Sequence, residues 1–388
     1  MFSANKASAL KALENFLPRA GRDYAAQRNY DFGPERRDNV SMLSPWVRVR
    51  ILPEWEIIRS VRETHSDSAA GKFIDEVCWH TYWRGWLLQH PDAWKDYEAE
   101  RETLLGDYER QIGYTRAIEG KTGIECFDVW TRELIETGYL HNHARMWYAS
   151  IWTHTLKLPW VLGAAFFHRH LYDGDPASNT LSWRWVAGVH TQGKSYLARP
   201  DNIAKYTDGR FRPQEPFAQE ALDLTDDYPK PRAVSVETAD KLPGDGRIGL
   251  VVNENDLSAS SWLGDSLNAV ATCGALPEAA YEAHAVAEPV RTFRRDCLRE
   301  TLTDDAPVFS GVGQITQWAG EHSLDAVVMS EPGVGFWTLE LLKLRSDLAH
   351  QGRTLHTVRH WWDAHFIPHA SKGFFKLKQA IPDALDRL

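Results

Sequence analysis

TGYLHNHARM, residues 137–146, is the stretch on which the reading of this chain turns. It is followed by DGDPASN at 173–179 and SWRW at 182–185. Thr137-Gly138 marks a loop, and helical apolar spacing resumes over 142–156. Asn142, Arg145 and Met146 stand at i, i+3 and i+4, so they share one helical face. Read alone, that face is a surface arginine beside a core methionine. Read alone, Asp173-Gly174-Asp175-Pro176 is a turn.

Working outward, residues 1–205 read as helices. Apolar spacing of helical period covers 7–16, 73–88 and 127–135. From 206 to 246 Asp, Glu and Pro accumulate, as in LTDDYPKPR at 224–232, which reads as an interdomain connection. Beyond it the pattern changes. Short apolar runs at 248–252, 324–329 and 354–358 predict strands. Stretches at 262–273, 293–302 and 336–350 predict the helices between them. Strands alternating with helices predict a parallel α/β sheet over 247–388.

The chain has 388 residues, enough for two domains. Its formal net charge is −9, yet residues 1–205 carry 26 Lys+Arg and 26 Asp+Glu. The acid excess therefore lies downstream, and a neutral first domain can still present a local basic groove. No run of about 18 apolar residues suggests a membrane span. Residues 1–10 carry no secretory signature, so a cytoplasmic location is expected. Four scattered cysteines form no C-x-x-C pair, which argues against a zinc or disulfide framework. His356 with His360 and His365 with His369 fall at i, i+4 pairs but straddle a proline, and they read as a solvated face. Gly120-Lys121-Thr122 lacks the upstream glycine and strand of a P-loop.

SMLSP at 41–45, YWR at 82–84 and EGKTG at 119–123 complete the set. In this order and spacing the stretches resemble the flavin domain of the photolyase/cryptochrome family, over about residues 8–211. The resemblance implies an all-helical FAD-binding domain. In it, Ser41, Leu43 and Ser44, with Tyr24, contact the cofactor's phosphate side. On the residues alone, Ser44 with Pro45 also reads as a helix N-cap. Val40 stands where the family has threonine. Asn142, Arg145, Asp173, Asp175 and Asn179 would surround the isoalloxazine ring, with Arg145 paired to Asp173 and Asn179 facing N5.

The same resemblance makes Trp183 and Trp160 members of an electron relay, with Phe167 between them. The relay's outer position is Asp107, so Tyr108 or Tyr114 substitutes or the relay ends early. Trp83, His80 and Met146 would line a pocket for a flipped pyrimidine dimer, although His80 stands where photolyases carry glutamate. DAHFIP at 363–368 and KGFFK at 372–376 resemble the end of the family's α/β antenna domain. That domain ordinarily comes first, so its place here implies a circular permutation. A second, antenna chromophore is admitted without being identified. Two functions follow. One is a deoxyribodipyrimidine photo-lyase acting on damaged DNA, by light-driven electron transfer from reduced FAD. The other is a cryptochrome-like blue-light photoreceptor with a signalling partner.

Overall fold

The structure is a computed structural model describing residues 2–191, 193–224 and 227–388. Thr225 and Asp226 of the expected interdomain connection lie outside the described residues. The first half is helical: α1 (Lys6–Phe16), α2 (Arg22–Gln27), α3 (Ser44–Arg48), α4 (Glu54–Thr64), α5 (Asp67–Gln89) and α6 (Asp92–Tyr108). It continues through α7 (Ile112–Ile118), α8 (Glu125–Thr137), α9 (Asn142–Ser150), α10 (Trp160–His170), α11 (Pro176–Val186) and α12 (Pro200–Tyr206). No helix among the described residues is long and apolar enough to cross a membrane. The next regular element begins only at Ile248.

There a five-stranded parallel sheet starts, in the order β3-β2-β1-β4-β5. Its strands are β1 (Ile248–Asn253), β2 (Ala269–Ala275), β3 (Val308–Phe309), β4 (Ala326–Ser330) and β5 (Thr354–Val358). The helices α13 (Ala259–Leu263), α14 (Glu278–Ala283), α15 (Glu288–Glu300), α16 (Val312–Glu321) and α17 (Thr338–His350) lie between strands. After β5 come α18 (Trp361–Phe366), α19 (Phe374–Lys378) and α20 (Ile381–Leu385). The fold is thus a helical domain followed by a Rossmann-like α/β domain.

One sequence expectation fails. Residues 262–273 are not a helix: α13 ends at Leu263 and Ala269–Ala275 is β2, paired to β1 along its length. Its sequence, AVATCGA, alternates only weakly, and its small residues suit either state. Gly274 explains the composition, since a Cβ there would come within 2.7 Å of Leu302 Cδ1. Strand pairing over the helix α15 requires that close approach.

All six residues of β1 are buried. Leu250 and Val252 join the core that also fills the helical half, whereas Val251 joins the core on the sheet's other face. The period of two therefore welds the sheet to the helices. A charged seam reinforces this weld. Arg50, with φ +52°, is 1% exposed and donates four hydrogen bonds. Two reach Glu54 at 3.0 and 3.2 Å. Two reach Asp363 at 2.5 and 2.6 Å. Burial alone would raise both carboxyls, but the Arg50 guanidinium outweighs it and holds Glu54 well below, and Asp363 below, the ordinary range. Burial wins at nearby Asp256, whose carboxyl is pushed up.

This seam makes a prediction. Arg50→Met should cost about 3–5 kcal/mol in urea denaturation, because it strands two buried carboxylates. Depressed carboxyls contribute stability above their unfolded pKa of about 4 and lose it as pH falls through the folded values. Wild-type stability should therefore drop at acid pH, and the variant's pH dependence below about pH 4 should be flatter. Equal slopes would remove the seam from the acid response.

Candidate flavin site

The site begins at the end of α8. Gly138 caps that helix in the left-handed region at φ +66°, and a Cβ there would lie 2.5 Å from the Tyr172 ring. Tyr172 N donates to Gly138 O at 3.0 Å. This close approach lays the start of α9 against the loop that opens α11. Across the junction Arg145 makes a two-pronged pair with Asp173, at 3.0 and 2.8 Å. Its Nε donates to Leu140 O at 2.9 Å, so the fork is fixed at three points. Burial opposes the Arg145 charge, but Asp173 outweighs it and leaves the guanidinium more firmly protonated. The Tyr139 ring lies 5.3 Å from that guanidinium.

Asp175 caps α11, accepting from Ser178 N at 2.7 Å. Burial alone would raise its carboxyl, yet His80, Arg48 and Arg84 together hold it below the usual range. Asn179, one turn on, is 8% exposed and donates through Nδ2 to Ala164 O at 2.9 Å. A carbonyl needs a donor, so this bond fixes the amide's orientation and leaves Oδ1 as the open acceptor. On α9 the Asn142 side chain is exposed and makes no hydrogen bond, with Arg145 and Met146 half-buried beside it.

The phosphate-side loop differs from expectation in one respect. Ser44 is not a cap: Leu43 holds the N-cap position, Ser44 is the first helical residue, and Pro45 follows it. The turn is made instead by Met42, at φ +53°, with Leu43 N directed to Ser41 Oγ at 3.5 Å. Tyr24 packs edge-on against Phe16 and Phe73, at 5.8 and 5.1 Å. Burial pushes its phenol up, so the hydroxyl stays a neutral donor. Phe2 bridges this side to the other, with its ring 5.3 Å from Trp46 and 5.9 Å from Tyr139. The Ser44 and Tyr24 hydroxyls, the Asn142 amide and Asn179 Oδ1 form no hydrogen bonds with the described residues. Each is a neutral donor or acceptor, chemistry compatible with FAD.

Aromatic rings fill the space behind. Trp183 is 2% exposed and meets Phe167 at 5.0 Å, Trp152 at 6.1 Å and Tyr148 at 6.3 Å. Trp160 is packed with Tyr97 at 6.2 Å and Tyr228 at 5.6 Å. Phe167 therefore touches Trp183, while no ring contact joins Trp183 directly to Trp160. Trp152, missed in the sequence, sits in a π-helical turn, Ile151–Thr155, that follows α9. Gly163 makes this packing: its Cβ would fall 2.3 Å from Trp183 Cη2 and 3.0 Å from Trp152 Nε1. A glycine inside the apolar run of α10 was the available signal.

His80 and Trp83 do not share surroundings. His80 Nδ1 lies 2.7 Å from Glu54 Oε1, and its Nε2 is buried without a partner. Trp83 instead packs on Tyr82, Trp79 and His190, at 4.8, 5.2 and 5.1 Å. Glu76, one turn before His80, was also missed. Its carboxyl is raised by burial despite Arg28 at 3.6 Å. The histidine series is corrected too. His360 is 7% exposed and stacks on Trp55 at 3.9 Å, and His365 is bonded to Ala380 O. Of the four histidines His360 alone is buried, and His356, His365 and His369 are half-buried.

Fold and geometry define a helical flavin-type domain joined to an α/β domain. The family model described as the FAD binding domain of DNA photolyase matches residues 73–238. Over these residues the chain is similar to the flavin domain of the photolyase/cryptochrome family. It is 31% identical over 213 residues to a deoxyribodipyrimidine photo-lyase of Streptomyces griseus, covering 50% of this chain and 46% of that one. It is 32% identical over 191 residues to one from Alkalihalophilus pseudofirmus, covering 49% and 39%. The chain thus spans less than half the length of these relatives. Among solved structures it is similar to a Synechocystis sp. PCC6803 cryptochrome, at 25% identity and TM-score 0.46, over 53% of this chain and 43% of that one.

Gly163→Ala should cost about 1–3 kcal/mol, the range for overpacking a filled core. The added methyl must move Trp183 or Trp152, so near-ultraviolet circular dichroism should change with the melting temperature. An unchanged spectrum and unchanged stability would mean that α10 yields without disturbing the tryptophans.

Proposed function

We propose that this chain is a photolyase-type flavoprotein, using light-driven electron transfer from reduced FAD to split pyrimidine dimers in DNA. The observation that carries this reading is the Arg145–Asp173 pair beside Asn179 with its open Oδ1. A fixed positive charge stabilises an anionic reduced ring, and a neutral amide oxygen accepts from a protonated ring nitrogen. FAD, when bound, supplies light absorption and one-electron chemistry. The chain's residues do the rest. Tyr24, Ser41, Leu43 and Ser44 hold the phosphate side. Asn142, Arg145, Asp173, Asp175 and Asn179 orient the ring and set its charge. Trp183 and Trp160 conduct electrons to it from the protein's edge. Trp83, His80 and Met146 receive a flipped lesion.

The same proposal divides the chain into a flavin domain at 1–205, a connection at 206–246 and a permuted antenna-like domain at 247–388. A second reading, a photoreceptor without repair, is favoured by His80. Its bond to Glu54 turns it away from a substrate, where photolyases carry a glutamate.

The deciding experiment illuminates the reduced protein with an oligonucleotide carrying one cyclobutane dimer. Recovery of the two pyrimidines under blue light is expected. Intact dimers despite normal flavin photoreduction would transfer the assignment to the photoreceptor. Trp183→Phe should sharply slow photoreduction while FAD stays bound, because a phenyl ring keeps the packing but resists oxidation. Equal rates in variant and wild type would take Trp183 out of the relay.

A further inference from the structure

We infer that Tyr228, acting with Glu100, is the outer end of the electron relay, the point at which the protein meets a soluble reductant. The inference rests on the relay reading above and adds its terminus. Trp160 is 1% exposed, so no soluble donor reaches it. Two tyrosines flank it, and they are not equivalent. Tyr97 is 1% exposed, and its hydroxyl is buried with no hydrogen-bond partner. Tyr228 is half-buried, comes from the segment between the two domains, and donates its hydroxyl hydrogen to the Glu100 carboxylate.

That difference decides which ring can be oxidised. A phenol that loses an electron becomes a strong acid and must release its proton. Tyr97 has no acceptor for it; Tyr228 has one already hydrogen-bonded. Burial, and then Glu100, push the Tyr228 phenol up, so the proton stays on tyrosine until the electron leaves. The surrounding charges favour the same direction. The Arg184 guanidinium lies 5.6 Å from the Trp160 ring centroid and disfavours a positive hole there. A carboxylate at Tyr228 favours one. Tyr114, a terminus considered from sequence, meets Trp152 at 6.0 Å and makes no ring contact with Trp160.

The step balances. Loss of one electron from Trp160 by way of Trp183 would leave a Trp160 radical cation. It takes one electron from Tyr228, and the phenolic proton passes to Glu100. The products are neutral Trp160, a neutral tyrosyl radical and a protonated Glu100. A soluble thiol then gives one hydrogen atom to the tyrosyl oxygen and becomes a thiyl radical, two of which couple to a disulfide, and Glu100 releases its proton to water.

The test uses the FAD-loaded chain in its oxidised form, illuminated with dithiothreitol. It is followed by electron paramagnetic resonance and by flavin absorbance. Wild type should give a tyrosyl radical signal, and Tyr228→Phe should lose it and photoreduce slowly. Tyr97→Phe should change neither. Glu100→Gln keeps a hydrogen-bond partner but removes the proton acceptor, so its radical should form more slowly and with a larger solvent deuterium effect. If Tyr228→Phe keeps the signal and the rate while Trp183→Phe abolishes photoreduction, the relay stands and Tyr228 is not its end. If Trp183→Phe and Trp160→Phe are also without effect, the relay reading itself fails.

Discussion

Buried Arg50 ties the start of the fourth helix to the α/β half of the chain. Its four hydrogen bonds join Glu54, at the start of α4, to Asp363 in α18, 313 residues from Arg50. Glu54 in turn accepts from Thr81 and binds His80, so it sets the rotation of α5. Trp362, next to Asp363, donates to Thr81 at 2.9 Å. The Arg50 guanidinium and Thr81 are thus two of the points at which the halves of the chain meet. A buried ion pair of this kind is weak evidence for net stability, since apolar residues could fill the same volume. What it supplies is register. A helix face carrying His80 and Arg84 must point at Asp175, and only a few fixed bonds prevent it from rolling.

That rotation has an electrical consequence. Burial alone would raise the Asp175 carboxyl, and the charges of His80, Arg48 and Arg84 outweigh it. Arg48 is itself held by Asn255 at 2.6 Å and Glu254 at 3.4 Å, both from the loop after β1. The α/β domain thus contributes to the charge state of the flavin site without touching Arg145 or Asn179.

Much of this was legible in the sequence, and the limits are physical. Long helices with caps and regular spacing, such as α5 and α9, could be read directly because 3.6-residue periodicity is local. The strands β1, β4 and β5 were legible as apolar runs. β2 was not, because AVATCGA owes its extended state to two neighbours in the sheet, and β3 is two residues long. At the site, the residue types were legible through their order, and the pairing of Arg145 with Asp173 is what the structure contains. Sequence spacing placed His80 and Trp83 on one face, but one turn of α5 separates an ion-pair environment from an aromatic one. The roles of Gly163, Trp152 and Tyr228 come from contacts between elements far apart in the chain. No spacing rule encodes those.

The order of the domains raises a last point about the sheet. In doubly wound folds ligands enter at the carboxyl ends of the strands, where the strand order reverses. Here that place lies between β1 and β4. Asn253 closes it by donating to Ser330 O and Oγ, both at 2.9 Å. The following residues, Glu254 and Asn255, reach outward to Arg48, and Trp337 donates to Glu254 from the β4 side. Asn255 also donates to Pro332 O at 2.8 Å. The crevice is therefore filled by the bonds that hold the helical domain in place. An antenna pigment seated there would have to break the Arg48 contacts and shift the charge balance around Asp175. The α/β domain as folded uses its carboxyl edge for docking, while its first strand is buried by the cores on both faces of the sheet.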